Sequence, residues 1–193
     1  MKKIIVMVLI AGWCARAETN LSGAAVRVSD RPVGKLEAVF AQVLVEEIAK
    51  RSGITLPIET KESNRPTIRL QIVGNSKWNS FTLGYEGYRI ESSAEKNGAP
   101  IITISSVSQR GLLFGIGELL RSSELSEGKI FDSGINLTST PLYGIRGHQL
   151  GYRHAANSWD FWTVEQFDQY IRELAFFGTN CIENIPFQDD RSS

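Results

Sequence analysis

The sequence predicts an α+β fold: a small, mainly antiparallel sheet with two helices on one face, followed by the first βαβ unit of an incomplete (β/α)8 barrel. Three observations predict it. Two long stretches, Lys35–Ser52 and Gln109–Ser122, carry apolar residues at helical spacing. Several short runs around them alternate apolar and polar residues, as half-buried strands do. Beyond residue 142 the pattern changes to strand, polar loop, helix, tight turn and strand within about forty residues, which is the length of a βαβ unit.

In chain order, Lys2 and Lys3 precede the apolar run Ile4–Ala11, and Ala15, Arg16 and Ala17 follow it. This is the charged, apolar and cleavable layout of an export signal, with cleavage expected after Ala17 and the periplasm or the exterior as destination. The apolar run is about half of the roughly twenty residues that a membrane span needs, so no span is expected. Trp13 before Cys14 is too bulky for a lipoprotein signal. Cleavage leaves Cys181 as the one thiol, expected in an apolar strand as a small core residue. Lys+Arg and Asp+Glu number 21 each in 193 residues, a neutral balance without the basic footprint of a nucleic-acid binder.

The first domain is expected over 24–133. Ala24–Ser29 reads as a strand. The helix Lys35–Ser52 sets Leu36, Val39, Phe40, Val43, Leu44 and Ile48 on one side, and Gly53 stops it. Thr67–Val73, Gly87–Ser92 and Pro100–Val107 are further strands, the last two joined through an Asn97-Gly98 turn. Gln109–Ser122 closes the domain as a second amphipathic helix. Its Gly111, Gly115 and Gly117 match no phosphate-binding spacing, and no Lys-Ser or Lys-Thr follows. Each glycine costs a helix about 1 kcal/mol, so Gly111 and Gly115, one turn apart, imply a close approach of helix to sheet. Residues 134–141 read as a linker that Pro141 ends.

In the last section, 142–193, Gly144–Leu150 is a short strand and Gly151–Ser158 a polar loop. Thr163 followed by Gln166 is a capping-box pattern, so a helix starts after Thr163. Val164, Phe167, Ile171, Leu174 and Phe177 share one face of it. Gly178 sits at the left-handed C-cap, and Thr179–Pro186 resumes as a strand.

The words IRGHQLGYR, NSWDFWTVEQFDQYIRELAFFGTN and IENIPFQDD resemble the first βαβ unit of the catalytic barrels of secreted bacterial glycoside hydrolases. The likeness is to the α-glucuronidase (family 67) and β-hexosaminidase (family 20) group. EGYRI followed by SQRGLLFGIGELLR is similar to the non-catalytic domain that precedes the barrel in those families. The resemblance implies hydrolysis of O-glycosidic bonds in uronic-acid or hexosamine polysaccharide or oligosaccharide, with no cofactor and no metal. It also implies that the catalytic carboxyl groups lie on later strands, so no catalytic residue is assigned before Ser193.

Barrel enzymes work at the C-terminal ends of their strands, which points to Arg146–Arg153 and Glu183–Asp190. The candidate substrate-binding residues are Arg146, His148, Arg153 and Glu183. Arg146 offers a planar fork of donors for vicinal hydroxyls or a uronate carboxylate. By resemblance to family 20, Arg146 and Gly147 correspond to an Arg-Gly step that binds sugar; the alternative is that Arg146 pairs with a carboxylate inside the barrel mouth. His148 is a candidate sugar contact, and its six-residue separation from His154 makes no metal site. Glu183 alternates with Ile182 and Ile185 and so is expected to face the barrel mouth. Trp159 is a candidate stacking ring, Trp162 reads as a packing residue, and Asp189 and Asp190 as a solvated pair. Two barrel strands and one helix cannot close a sheet, so 141–193 is expected to pack poorly beside a first domain that folds alone. The competing reading is a non-catalytic secreted carbohydrate-binding or interaction module.

Overall fold

The computed structural model describes residues 18–29, 35–73, 84–132, 134–150 and 162–184. Its main sheet has six strands in the order β3-β2-β4-β6-β5-β9. These are β2 (Ala25–Arg27), β3 (Ile58–Glu59), β4 (Thr67–Ile72), β5 (Tyr88–Ala94), β6 (Pro100–Ser106) and β9 (Asn136–Ser139). The sheet is mixed, which corrects the expectation of a mainly antiparallel one. β3, β2, β4 and β6 run parallel, with Ile68 opposite both Val26 and Ile102; β5 pairs antiparallel with β6 and β9. Strand alternation fixes which face is buried but not the direction of the neighbour, so the orientation was not readable from the pattern. A second, antiparallel sheet joins β1 (Thr19–Asn20), β8 (Lys129–Asp132) and β7 (Ser123–Ser126).

Both expected helices form with the expected limits, α1 at Lys35–Ser52 and α2 at Gln109–Ser122, and both pack on the same face of the main sheet and on each other. The core between them holds Leu44, Ile48, Ile68, Leu70, Ile90, Ile102, Ile104, Leu112 and Ile116. The buried stripe of α1 is turned from the expected one. Ala41, Leu44, Val45 and Ile48 face inward, whereas Leu36 and Val39 are exposed and Glu37 is buried. The Glu37 carboxylate is drawn in because it accepts the Ile72 N–H at 3.1 Å, answering a backbone donor at the end of β4. Gly53, at φ +73°, ends the helix as expected.

The glycines of α2 do what their spacing implied. A Cβ at Gly111 would come within 2.5 Å of the Gly87 carbonyl oxygen, and one at Gly115 within 2.5 Å of Ile104 Cγ2. The helix axis therefore lies closer to the sheet than any side chain would permit. Gly117 points elsewhere: its Cβ would meet the backbone of Phe176, which belongs to the last section of the chain.

That section is the expected βαβ unit. β10 (Gly147–Leu150) and β11 (Cys181–Asn184) pair in parallel, with Gln149 opposite Glu183, and α3 (Val164–Phe176) connects them. Thr163 caps α3 with both bonds of the capping box in place, and Gly178 has φ +83°. The stretch expected as a linker instead contributes β9, which extends the main sheet beyond β5. The expectation of poor packing is also corrected for α3. Phe176 is fully buried against α2, and Arg121 of α2 donates to the Phe176 carbonyl. Arg172 of α3 pairs with Glu46 and Glu47 of α1, and Arg51 of α1 with Glu173. Of the apolar residues expected to define the packed face, Val164, Ile171 and Phe177 remain accessible, while Phe167 and Leu174 are half-buried.

Candidate functional site

Parallel register places Gln149 beside Glu183 on one face of the β10–β11 pair, and Gln149 Nε2 donates to Glu183 Oε2 at 3.1 Å. Two-residue periodicity puts Cys181 on the same face. All three are exposed, so Cys181 is not the core residue expected for it. Glu183 thus stands near the C-terminal end of β11 on the exposed face of the strand pair, the face that carries Gln149 and Cys181. Gln149 was not singled out in the sequence; its position two residues before Gly151 becomes meaningful only once the β11 register is known.

His148 lies on the opposite face. Its Nε2 is 2.7 Å from the Tyr170 hydroxyl of α3, and the two rings meet edge to face at 5.6 Å. Trp162 packs edge to face on Phe167 and Tyr170 at 5.4 and 5.1 Å, the packing role read for it. His148 therefore joins strand to helix; the sequence placed it in the strand Gly144–Leu150 and offered it as a sugar contact because it could not show that the side chain meets Tyr170 of α3.

Arg146 sits before β10, at the N-terminal end of the strand pair. Nη2 donates to Glu86 Oε2 at 2.7 Å, Nε to the Gly178 carbonyl at 2.8 Å and Nη1 to the Tyr143 carbonyl at 2.7 Å. The guanidinium also lies 5.3 Å from the centre of the Phe114 ring. Of the two roles left open, the ion pair is the one formed, and its carboxylate comes from the first domain rather than from the barrel mouth. Asn180 Nδ2 reaches the same Glu86 at 2.9 Å, and its Oδ1 accepts the Arg146 N–H at 2.9 Å. Arg110 of α2 completes the cluster at 3.0 Å from Glu86 Oε1. Burial pushes the Glu86 carboxyl up, but the bonds from Arg146 and Asn180 and the charges of Arg110 and Arg146 outweigh it and hold the group below the usual carboxylate range. Nothing in the sequence tied Glu86 to residues sixty to ninety positions away.

Arg153, His154, Trp159, Asp189 and Asp190 lie outside the described residues, as does the export signal. Among the described residues no group of three or more His, Cys, Asp or Glu side chains is placed to hold a metal, and no helix is long and apolar enough to cross a membrane.

The chain shares its fold with part of several solved glycoside hydrolases. The N-acetyl-β-hexosaminidase of Streptomyces plicatus superposes with a TM-score of 0.62 at 21% identity, over 87% of this chain and 31% of that one. The family 20 β-N-acetylhexosaminidase of Streptomyces coelicolor gives 0.60 at 22% identity, again over 87% and 31%. A family 115 4-O-methyl-α-glucuronidase with specificity for decorated arabinogalactans gives 0.60 at 13% identity, over 86% and 25%. The chain thus spans less than a third of the length of these enzymes. No family model and no curated protein sequence matches it.

Proposed function

We propose that this chain is the front section of a secreted glycoside hydrolase acting on uronic-acid- or hexosamine-bearing polysaccharide. In this reading the α+β domain is a rigid support, and β10–α3–β11 opens a catalytic (β/α)8 barrel. The observation that carries it is the parallel β10–β11 pair, joined through α3 and seated on the helices of the first domain; the overall fold likeness to solved glycoside hydrolases supports it.

The chemistry of the described residues sets what this section contributes. Glycoside hydrolysis takes two carboxyl groups about 5–5.5 Å or 6.5–9.5 Å apart across the scissile bond. Glu183 is the one carboxylate on the open face of β10 and β11 among the described residues, so the pair itself would come from later strands. Gln149 and Glu183, bonded to each other and open to solvent, would instead hold sugar hydroxyls at the barrel wall, Gln149 as donor and Glu183 as acceptor.

The test is hydrolysis by the protein translated from the complete reading frame, assayed on aryl β-N-acetylglucosaminides and on glucuronate-bearing oligosaccharides. Turnover of either class supports the reading and selects the substrate. Saccharide binding without turnover on any glycoside would replace it with the binding-module reading. Export is tested separately: an N-terminus at Glu18 in the periplasmic or culture fraction is expected, and an intact Met1 in the cytoplasm would refute it.

A further inference from the structure

An open cavity of about 270 Å³ lies at the seam between the first domain and the βαβ unit. That is just under the roughly 300–1,000 Å³ of sites for drug-sized ligands, and it suits a single sugar ring. The Glu86–Arg146 pair forms part of its lining. Tyr85 and Tyr143 also line it, and the two residues are 69% and 70% exposed. Two large aromatic side chains this open, lining one cavity beside charged groups, are the kind of surface on which the apolar face of a pyranose stacks.

The two arginines of the cavity differ in what they have left to give. Each nitrogen of the Arg146 guanidinium already donates to the protein. Arg110 reaches Glu86 through Nη1 alone, lies 5.6 Å from the Tyr85 ring centre and keeps a side chain 53% exposed. Its Nε and Nη2 have no hydrogen-bond partner among the described residues. Two guanidinium groups against one carboxylate leave the cavity with a net positive charge, and the fork of Arg110 is the geometry that a carboxylate accepts in bidentate fashion.

We propose that this seam cavity is an ancillary binding site for a carboxylate-bearing sugar unit, with Arg110 holding the carboxylate and Tyr85 and Tyr143 flanking the ring. It lies at the N-terminal ends of β10 and β11, the opposite end from Glu183, so it anchors a chain of acidic saccharide rather than cleaving it. It goes beyond the glycosidase reading, and it stands or falls without turnover.

The experiment is a titration of the amide NMR spectrum of the full chain with sodium glucuronate, and separately with glucose and with sodium acetate. Glucuronate is expected to saturate with a Kd on the order of 1–10 mM, with shifts gathered at residues 84–86, 110 and 143–146. Glucose and acetate are each expected to bind about fivefold more weakly or worse, because each supplies half of the recognition. Arg110→Ala should weaken glucuronate by about fivefold or more, with Arg110→Lys in between because it keeps the charge and loses the fork. Spectra unchanged elsewhere establish that these exposed-site variants fold. Acetate matching glucuronate would reveal a bare anion site and overturn the proposal. So would glucose matching glucuronate, indifference to Arg110→Ala, or no saturable shift at about 50 mM.

Discussion

Gly117→Ala tests whether the βαβ unit is held on the first domain by direct backbone contact. A Cβ at Gly117 would lie 2.5 Å from Phe176 Cα and 2.7 Å from its carbonyl carbon. A backbone cannot swing aside as a flexible side chain can, so α2 and α3 must separate. In a free helix the substitution would stabilise by about 1 kcal/mol. Against that, a methyl forced into a packed contact costs about 1–3 kcal/mol. Separation also begins to expose Phe176, only 2% accessible, whose full burial is worth about 1.5–3 kcal/mol. It further draws the Phe176 carbonyl away from Arg121. The balance is a loss of about 2 kcal/mol in docking, or roughly thirtyfold. Hydrogen exchange read by mass spectrometry should show that loss of protection over 164–176 while the strands of the main sheet keep theirs. Gly23→Ala, with open space around its Cβ, is the matched control and should change stability by less than about 0.5 kcal/mol. Unchanged protection in α3 together with a gain of about 1 kcal/mol, as helix propensity alone predicts, would refute the contact.

Glu86→Gln removes the charge that Arg110, Arg146 and Asn180 share, and should cost about 1–3 kcal/mol in urea unfolding. The folded Glu86 value lies below the unfolded one, so its contribution is present above about pH 4.3 and is lost as pH falls through the depressed folded value. The variant should flatten the wild-type decline in that acidic window, and an identical pH profile would exclude Glu86 as its source. Glu37 has the opposite sign: burial raises it and the Ile72 N–H only partly offsets this, so its ionised form is a liability above about pH 4.3. Glu37→Gln keeps an acceptor for that N–H and should raise Tm at pH 7 but not at pH 3; a lower Tm at pH 7 would count against the reading. Tyr170→Phe deletes the 2.7 Å contact to His148 and should cost about 1 kcal/mol by chemical denaturation, whereas no change would assign the pair to packing alone.

The elements that could be read in the sequence are those whose signal is local. The capping box at Thr163 and Gln166, the left-handed glycines at 53, 98 and 178, and both first-domain helices depend on residues a few positions apart. The close approach at Gly111 and Gly115 was readable too, because a glycine pair one turn apart in an amphipathic helix has few other uses. What was missed depends on distant partners. β7 and β8 are four-residue strands of SELS and KIFD, too short for alternation to stand out, and β9 lies in a stretch that read as a linker. Arg146 illustrates the limit at the site. Its fork suits a sugar or a carboxylate equally, and only the three-dimensional placement of Glu86 shows which partner it has. α3 shows the same limit in packing, since an apolar stripe does not say which neighbour will cover it. In this chain Phe176 and a row of ion pairs dock the helix, while Val164 and Ile171 stay open.

Those open residues, with Gln149, Cys181 and Glu183 on the bare face of β10 and β11, are what further barrel strands and helices would cover. The most direct measurement is the nucleotide sequence beyond the codon for Ser193. If this chain is the front of a glycoside hydrolase, the frame continues through repeated strand–helix units and brings paired Asp or Glu residues to later strand ends. A stop codon directly after Ser193 would contradict it.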